Sequence, residues 1–421
     1  MGSRTNKVYN QMKNVLILFG CASHRQGPRA ISQAHSLGLN VILVDTQDNV
    51  ENLSANAPQN IQIYTVSSKD YDACFPLIKS LCTTFPVIGI YTFEEYSVET
   101  CSRLCATLGF INNPTAAILR IRNKNSCRQI LSENGLPQPE LHIFNNLQQA
   151  CYCLQTQPTG GGDWILKPID ASGSQGVSRI TNNGIHQLHT AFSRLTSTQQ
   201  EGFIIEKFII GKEFSLEGFF HYGEPIFQGI TEKALKPGSS FVEDMHIFPA
   251  ELPIETRNDV FAVAKKALHC VGLMFGHFHL EFWISDCQII IGEIHSRPGG
   301  DYIHLLTEVV TGIPTYAAVF QQYIESASCH EPAPTITHRC AAAVKYFDAP
   351  EGELIAIYGI ADLQKKNQII LTEITVKPGE ILPPCTESGK RVGCVVVREE
   401  SSDKAKHTAM EMAAYVHFDI L

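Results

Sequence analysis

Glu281 and Glu293 stand in two apolar, β-prone runs on either side of Ser285-Asp286-Cys287. Those three residues read as a hairpin turn. Side chains on a strand alternate faces, so residues 277, 279 and 281 share one face. Residues 289, 291, 293, 295 and 297 share a face of the partner strand. A register centred on Cys287 sets Glu281 beside Glu293. Two carboxylates side by side on a greasy sheet are costly unless positive charge lies between them. A Mg²⁺ or Mn²⁺ ion would supply it. Arg297 and a glycine-rich turn, Pro298-Gly299-Gly300-Asp301, follow at once. Metal, arginine and a small-residue turn together suit the handling of phosphoryl groups. His277 and His279 share the parity of Glu281, and fit either support of that site or half-buried histidines with satisfied bonds.

A second motif runs from Trp164 through Lys167 to Ser172-Gly173-Ser174-Gln175-Gly176. A strand delivers the lysine, and a loop of small residues lets backbone N–H groups approach phosphates. No G-K-[ST] closes the loop, so it is not a Walker A sequence. A third motif spans residues 203–217, with Glu206, Lys207, Phe208 and Glu213. Backbone groups after its hydrophobic strand could read a base edge, and a carboxylate could hold sugar hydroxyls. Taken alone it reads more readily as a solvated Glu/Lys edge. Lys124 lies on a helix expected to run to about residue 134. His246 precedes Ile247-Phe248-Pro249 and reads as a surface-loop residue.

The elements that must position these residues fall into three parts. The first, residues 1–113, alternates strand and helix signals: strands at 15–19, 38–45 and 87–92, helices near 28–37 and 96–108. That alternation predicts a doubly wound parallel sheet. Its first loop, residues 20–27, lacks G-x-G-x-x-G, so a dinucleotide site is not expected. The second part, 114–328, is α+β with two lobes, about 114–200 and 201–328. It includes a helix over 257–271 that buries Val260, Phe261, Ala264, Leu268 and Val271. The third part, 329–421, is β-rich, with strands near 340–347, 368–376 and 392–397 and a closing helix near 403–416. The fold class is thus α/β.

A chain of 421 residues with 44% hydrophobic and 18% charged residues has the composition of a globular enzyme. Its formal net charge of -9 argues against nucleic-acid binding. The first apolar run, 15–19, is too short for a signal or membrane segment, so no membrane partner is expected. The fourteen cysteines form no C-x-x-C pair and read as reduced packing thiols of a cytoplasmic protein.

The order of these motifs resembles the ATP-grasp superfamily, and within it the carboxylate–amine ligases typified by bacterial L-amino acid (dipeptide) ligases. The resemblance runs over about residues 15–420 and is most specific over 116–325. It implies a central two-lobed ATP-grasp domain between the N-terminal sheet and a β-rich closing lobe packing on it. It implies that Lys124 and Lys167 bind ATP phosphates under a flexible loop at Ser172, Gly173, Ser174 and Gly176. Glu206, Lys207 and Phe208 match the adenine hinge, and Glu213 the ribose-binding acid. Glu281 and Glu293 match the metal-bridging acids. Arg297 matches the arginine that stabilises the transferred phosphoryl group. His246, Gly299, Gly300 and Asp301 match the substrate side. Many members carry Asn two residues after the second metal acid; here it is His295, whose imidazole could complete the metal site and favour Mn²⁺ over Mg²⁺. The resemblance implies amide formation between two amino acids, or an amino acid and a small acid, with ATP consumed to ADP. A homodimer is the family expectation. The alternatives are bicarbonate activation of the carboxylase type and a non-catalytic ATP-binding module.

Overall fold

The computed structural model describes residues 13–53, 61–158, 162–169, 175–236, 241–324 and 332–421. Four parallel strands open it: β1 (Val15–Phe19), β2 (Asn40–Thr46), β3 (Gln62–Val66) and β4 (Val87–Tyr91), in the order β3-β2-β1-β4. Every residue of β1 is buried. That follows from helices on both faces of the sheet, which leave a parallel strand no polar side. Helix Gly27–Ser36 lies on one side; helices Tyr71–Thr84 and Val98–Leu108 lie on the other. The short turn Glu95–Ser97 joins β4 to the last of these helices.

Two helices follow where the sequence predicts one. Thr115–Arg122 ends at Asn123, whose φ of -89° and ψ of 103° break the helix. The Asn123 side chain then accepts from Ser126 N and caps a second helix, Lys124–Glu133. Lys124 is therefore the first residue of a capped helix rather than a mid-helix surface lysine.

A four-stranded antiparallel sheet comes next: β5 (Leu141–Phe144), β6 (Trp164–Pro168), β7 (Ser178–Ile180) and β8 (Phe203–Lys207), in the order β5-β8-β6-β7. Helices Leu147–Thr156 and Ile185–Ser193 bury Leu154, Leu188 and Ala191 against its Trp164, Leu166 and Phe203.

The largest sheet has eight strands. It contains β9 (Lys212–His221), β10 (Glu224–Leu235), β11 (Glu243–Phe248), β12 (His277–Ser285), β13 (Gln288–His295) and β14 (Ala341–Tyr346). Beyond β14 the chain forms β15 (Gly352–Tyr358), β16 (Ile369–Ile374), β17 (Ile381–Leu382), β18 (Gly393–Glu399) and β19 (His417–Ile420). The large sheet has the order β13-β12-β9-β10-β11-β14-β18-β16, while β17-β15-β19 form a small sheet of their own. The C-terminal stretch is thus hydrogen-bonded into the central sheet through β11 and β14, not only packed on it. Helix Ile254–Val271 covers one face of the β9–β13 end, burying Val260, Ala264, Leu268 and Val271 against Leu216, Leu280, Phe282 and Ile294. Helix Ser402–Ala414 covers Val395 and Val397 on β18.

The β12–β13 hairpin departs from the simple alternation. Its loop is two residues, Asp286 and Cys287, both with positive φ (47° and 63°). Ser285 still pairs with Gln288, so it belongs to the strand and not to the turn. Near the loop Phe282 pairs with Ile291, yet farther out His279 pairs with His295. Between these pairs, Gly292 and Glu293 together oppose Glu281, which is a β-bulge. Residues 289 and 291 therefore do not share the face of 293 and 295. Ile291 joins Leu280, Phe282 and Ile294 in the core, while Glu293 and His295 face the other way with Glu281 and His279.

Candidate active site

The pleat assembles the site. Cross-strand partners share a face, so Glu213, Ser215 and Glu217 of β9 lie beside Trp283, Glu281 and His279 of β12. Thr231 pairs with Ser215, and Lys233, two residues on, pairs with His246 of β11. One face of the large sheet thus carries a polar row from β13 to β11. A cavity of about 500 Å³ opens above this row. Its other wall is the four-stranded sheet, which presents Lys167, Glu206, Lys207 and Phe208. Lys124, Glu213, Glu281, Glu293, His295, Arg297, His246, Gly300 and Asp301 also line it.

Most residues singled out from the sequence therefore meet in one cavity. Gly176 and Gly299 do not line it. Gly299 sits just behind, where a Cβ would lie 2.8 Å from Ile303 and 3.0 Å from a Glu217 carboxylate oxygen. Ser172, Gly173 and Ser174 lie outside the described residues. His246 is on β11 and buried, not in a surface loop. His277 is buried away from the row, bonded to the Tyr91 hydroxyl at 2.6 Å and the Thr315 carbonyl at 2.8 Å. Burial lowers its pKa to about 4.

Ion pairs set the electrostatics. Lys167 lies 2.6 Å from Glu206, which Arg128 also reaches at 3.3 Å. Burial raises the Glu206 carboxyl, but the two cations outweigh it and bring its pKa to about 2. Lys124 lies 3.5 Å from Glu293. Asp301 is gripped at both oxygens by Arg391, at 2.8 and 2.5 Å, and by His246 Nε2 at 3.2 Å.

Sequence reasoning missed the centre of this network. Lys233 is buried and donates to Glu213 at 2.5 Å and Glu281 at 2.8 Å, with Glu243 at 3.7 Å. Burial alone would lower the ammonium pKa; the three carboxylates raise it well above the ordinary lysine value. Burial likewise opposes ionisation of Glu281, yet Lys233 and His279 hold its pKa well below the usual range. The one sequence signal for Lys233 is a lysine inside an alternating strand run, at the parity of Thr231. Glu217, just before an unremarkable glycine, is buried and binds His279 Nδ1 at 2.9 Å. Burial lowers the His279 pKa, and Glu217 outweighs it to raise the value to about 9. His279 Nε2 lies 3.4 Å from Glu281.

A divalent cation fits this donor set. Ligand atoms of Glu281, Glu293 and His295 all lie within 4.8 Å of one another, and no other such group of His, Cys, Asp and Glu occurs among the described residues. Two carboxylates and an imidazole are donors a divalent cation of this kind takes. Lys233 and Lys124 supply the counter-charge these acids otherwise need.

Comparison with known proteins agrees along the chain. The ATP-grasp N-terminal domain family matches residues 31–110, the ATP-grasp domain family matches 162–304, and the L-amino acid ligase C-terminal domain 2 family matches 345–420. The chain is thus similar to ATP-grasp proteins in each of its three parts. The crystal structure of an L-amino acid ligase from Bacillus licheniformis superposes with a TM-score of 0.81, covering 98% of this chain and 100% of that one at 22% identity. An uncharacterised Sinorhizobium fredii protein, y4rH, is 24% identical over 249 residues, 58% of this chain and 50% of that protein. Alanine–anticapsin ligase of Bacillus subtilis is 25% identical over 227 residues, 48% of this chain and 47% of that enzyme. The matched region thus spans about half the length of both curated relatives. The α/β class, with its parallel N-terminal sheet and β-rich C-terminal region, is that of ATP-grasp ligase structures.

Proposed function

We propose that this protein is an ATP-dependent carboxylate–amine ligase. It joins two amino acids, or an amino acid and a small carboxylic acid, through an acyl phosphate, and releases ADP and phosphate. The observation that carries the proposal is the single cavity. It holds cations (Lys124, Lys167, Arg297), a metal-type donor set (Glu281, Glu293, His295) and a second polar end (His246, Asp301). One end suits a nucleotide, the other a small zwitterion, and the phosphoryl-handling groups lie between.

In this reading Lys207, Phe208 and the ribose-side carboxylate Glu213 hold the nucleoside, with Glu206 buried beneath them as the anchor of Lys167. Lys124 and Lys167 bind the terminal phosphates. A divalent ion held by Glu281, Glu293 and His295 would neutralise phosphate charge. The substrate carboxylate oxygen attacks the γ-phosphorus, and the bond to the leaving ADP oxygen breaks. Arg297 offsets the charge on the transferred group. The amine, having lost a proton, then attacks the carbonyl carbon and phosphate leaves. Water must be kept out while the acyl phosphate exists, and the loop at 172–176 is assigned that task. Arg391 holds Asp301 in place, so Asp301 and His246 present a fixed polar wall to the substrate.

Two kinds of support favour amino acids over bicarbonate. The C-terminal match is to a domain of L-amino acid ligases. One curated relative is by name an alanine ligase. A cytoplasmic homodimer that uses Mg²⁺ or Mn²⁺ and acts on free small molecules belongs to the same proposal. The test is ADP release from purified protein with ATP, Mg²⁺ or Mn²⁺ and pairs of amino acids. Release that needs two amino acids, and falls at least about a hundredfold in Glu293→Gln, is the expected result. Release driven by bicarbonate alone, or ATP binding with no turnover on any pair, contradicts it.

A further inference from the structure

Glu95 comes from the turn after β4, yet it reaches the centre of the site. Its Oε2 lies 2.9 Å from His295 Nδ1 and accepts from Arg297 Nε at 2.7 Å. Both partners are site residues, and one oxygen serves both. We propose that Glu95 is a positioning residue that aims the metal-facing nitrogen of His295 and the phosphoryl-facing end of Arg297 together. The inference rests on the metal and phosphoryl roles given above to His295 and Arg297.

The chemistry of each bond supports it. A neutral imidazole that donates from Nδ1 keeps its lone pair on Nε2. That nitrogen lies 3.6 Å from Glu293 Oε2, on the metal side. A carboxylate behind a metal-facing histidine fixes the ring and raises its basicity. Arg297 spends Nε on Glu95 and Nη1 on the Pro298 carbonyl at 3.0 Å. Its Nη2 has no partner among the described residues, and it is the nitrogen left to meet a phosphoryl oxygen. Glu95 is itself fixed. It opens the turn Glu95–Ser97, which Glu94 braces by accepting from Tyr96 N at 3.0 Å and Ser97 Oγ at 2.6 Å while pairing with Lys69 at 2.9 Å. The N-terminal domain thereby supplies part of the site's geometry.

The experiment uses the full chain and Mn²⁺ alone, with free Mn²⁺ counted by electron paramagnetic resonance. Glu95→Ala is expected to weaken Mn²⁺ binding by about 10- to 100-fold, the usual cost of losing a partner behind a ligand. Wild-type protein is expected to show ¹⁴N coupling to bound Mn²⁺, reduced in the isosteric Glu95→Gln. In the ADP-release assay kcat should fall at least about tenfold while the KM for ATP moves little, because aim and not nucleotide affinity is lost. Glu94→Gln, which loosens the turn that holds Glu95 without touching His295 or Arg297, should move ¹⁴N coupling and kcat in the same direction by less. If Glu95→Ala does not fold, Glu95→Gln carries the test through the ¹⁴N signal. Wild-type Mn²⁺ affinity, ¹⁴N coupling and kcat in a folded Glu95 variant overturn the proposal. Should wild-type protein release no ADP with any amino acid while the Mn²⁺ effects appear, the ligase reading fails and the positioning role stands. Should release depend on amino acids while Glu95 variants change nothing, the reverse holds.

Discussion

Lys233 shows how far single residues can be read without a fold. Glu281 and Glu293 were legible because they sit twelve positions apart around one visible turn. Lys233 lies far from that turn in sequence, on β10, and meets Glu281 only because β9 alone separates β10 from β12. Glu95 is farther still, and its meaning depends on where β4 ends. Charge balance makes Lys233 testable. Lys233→Met removes the cation that Glu213, Glu281 and Glu243 share and leaves only His279 beside Glu281. Removing one partner of a buried ionic cluster costs about 3–5 kcal/mol. Urea denaturation should show a loss of that order in metal-free buffer. Added Mn²⁺ should recover part of it by taking up the charge of Glu281. A variant as stable as wild type without metal would show that Lys233 does not hold these acids.

At the scale of elements, the hairpin carries the most. Alternation alone put Glu281 and Glu293 together, and they are together, but through a bulge that the sequence signals only as Gly292. A Cβ on Gly292 would lie 2.3 Å from the Trp283 ring and 3.1 Å from the Glu281 carbonyl oxygen. Either the Trp283 ring or the strand must shift to take that side chain, and a shift of the strand changes how Glu293 sits against Glu281. Gly292→Ala should therefore cost about 1–3 kcal/mol in urea and weaken Mn²⁺ binding in the same protein. Unchanged metal affinity would mean that the bulge does not set the spacing. Other elements were visible where packing agrees with local pattern: the helix Ile254–Val271 carries its apolar stripe in sequence, and the strands β14, β16 and β18 lie where apolar runs predict them. The break at Asn123 was not read, because an asparagine inside a helical pattern is tolerated, and only the ψ of 103° reveals a cap. The small strands β15, β17 and β19 were missed for a related reason. All three are half exposed, β17 and β19 are also short, and each pairs only with the others of its small sheet.

The whole molecule is built so that two sheets face each other across one cavity, with a turn of the N-terminal part behind it. The four-stranded sheet brings Lys167 and Glu206, the large sheet brings the acids, and the turn after β4 brings Glu95. What holds the first two across the cleft is in part ionic, since Arg128 reaches Glu206 from the helix that also begins with Lys124. Glu206 has a folded pKa of about 2, below the ordinary carboxylate value. A depressed carboxylate stabilises the fold above its unfolded pKa, and that contribution is lost as pH falls toward the folded value. Wild type should therefore lose up to about 3 kcal/mol from this group between pH 4.5 and 2, and Glu206→Gln should lack that part of the acid slope. Parallel acid slopes in the two proteins would remove the ion pair from the account. In the proposed reaction the cavity activates a carboxylate by phosphorylating it. Isotope transfer tests it most directly. An amino acid labelled with ¹⁸O in its carboxylate is turned over with ATP and a second amino acid, and the released phosphate is weighed by mass spectrometry. One ¹⁸O per phosphate, formed together with the amide, is the predicted result. Unlabelled phosphate accompanying ADP release would mean that water, not the substrate carboxylate, receives the phosphoryl group, and would contradict the account.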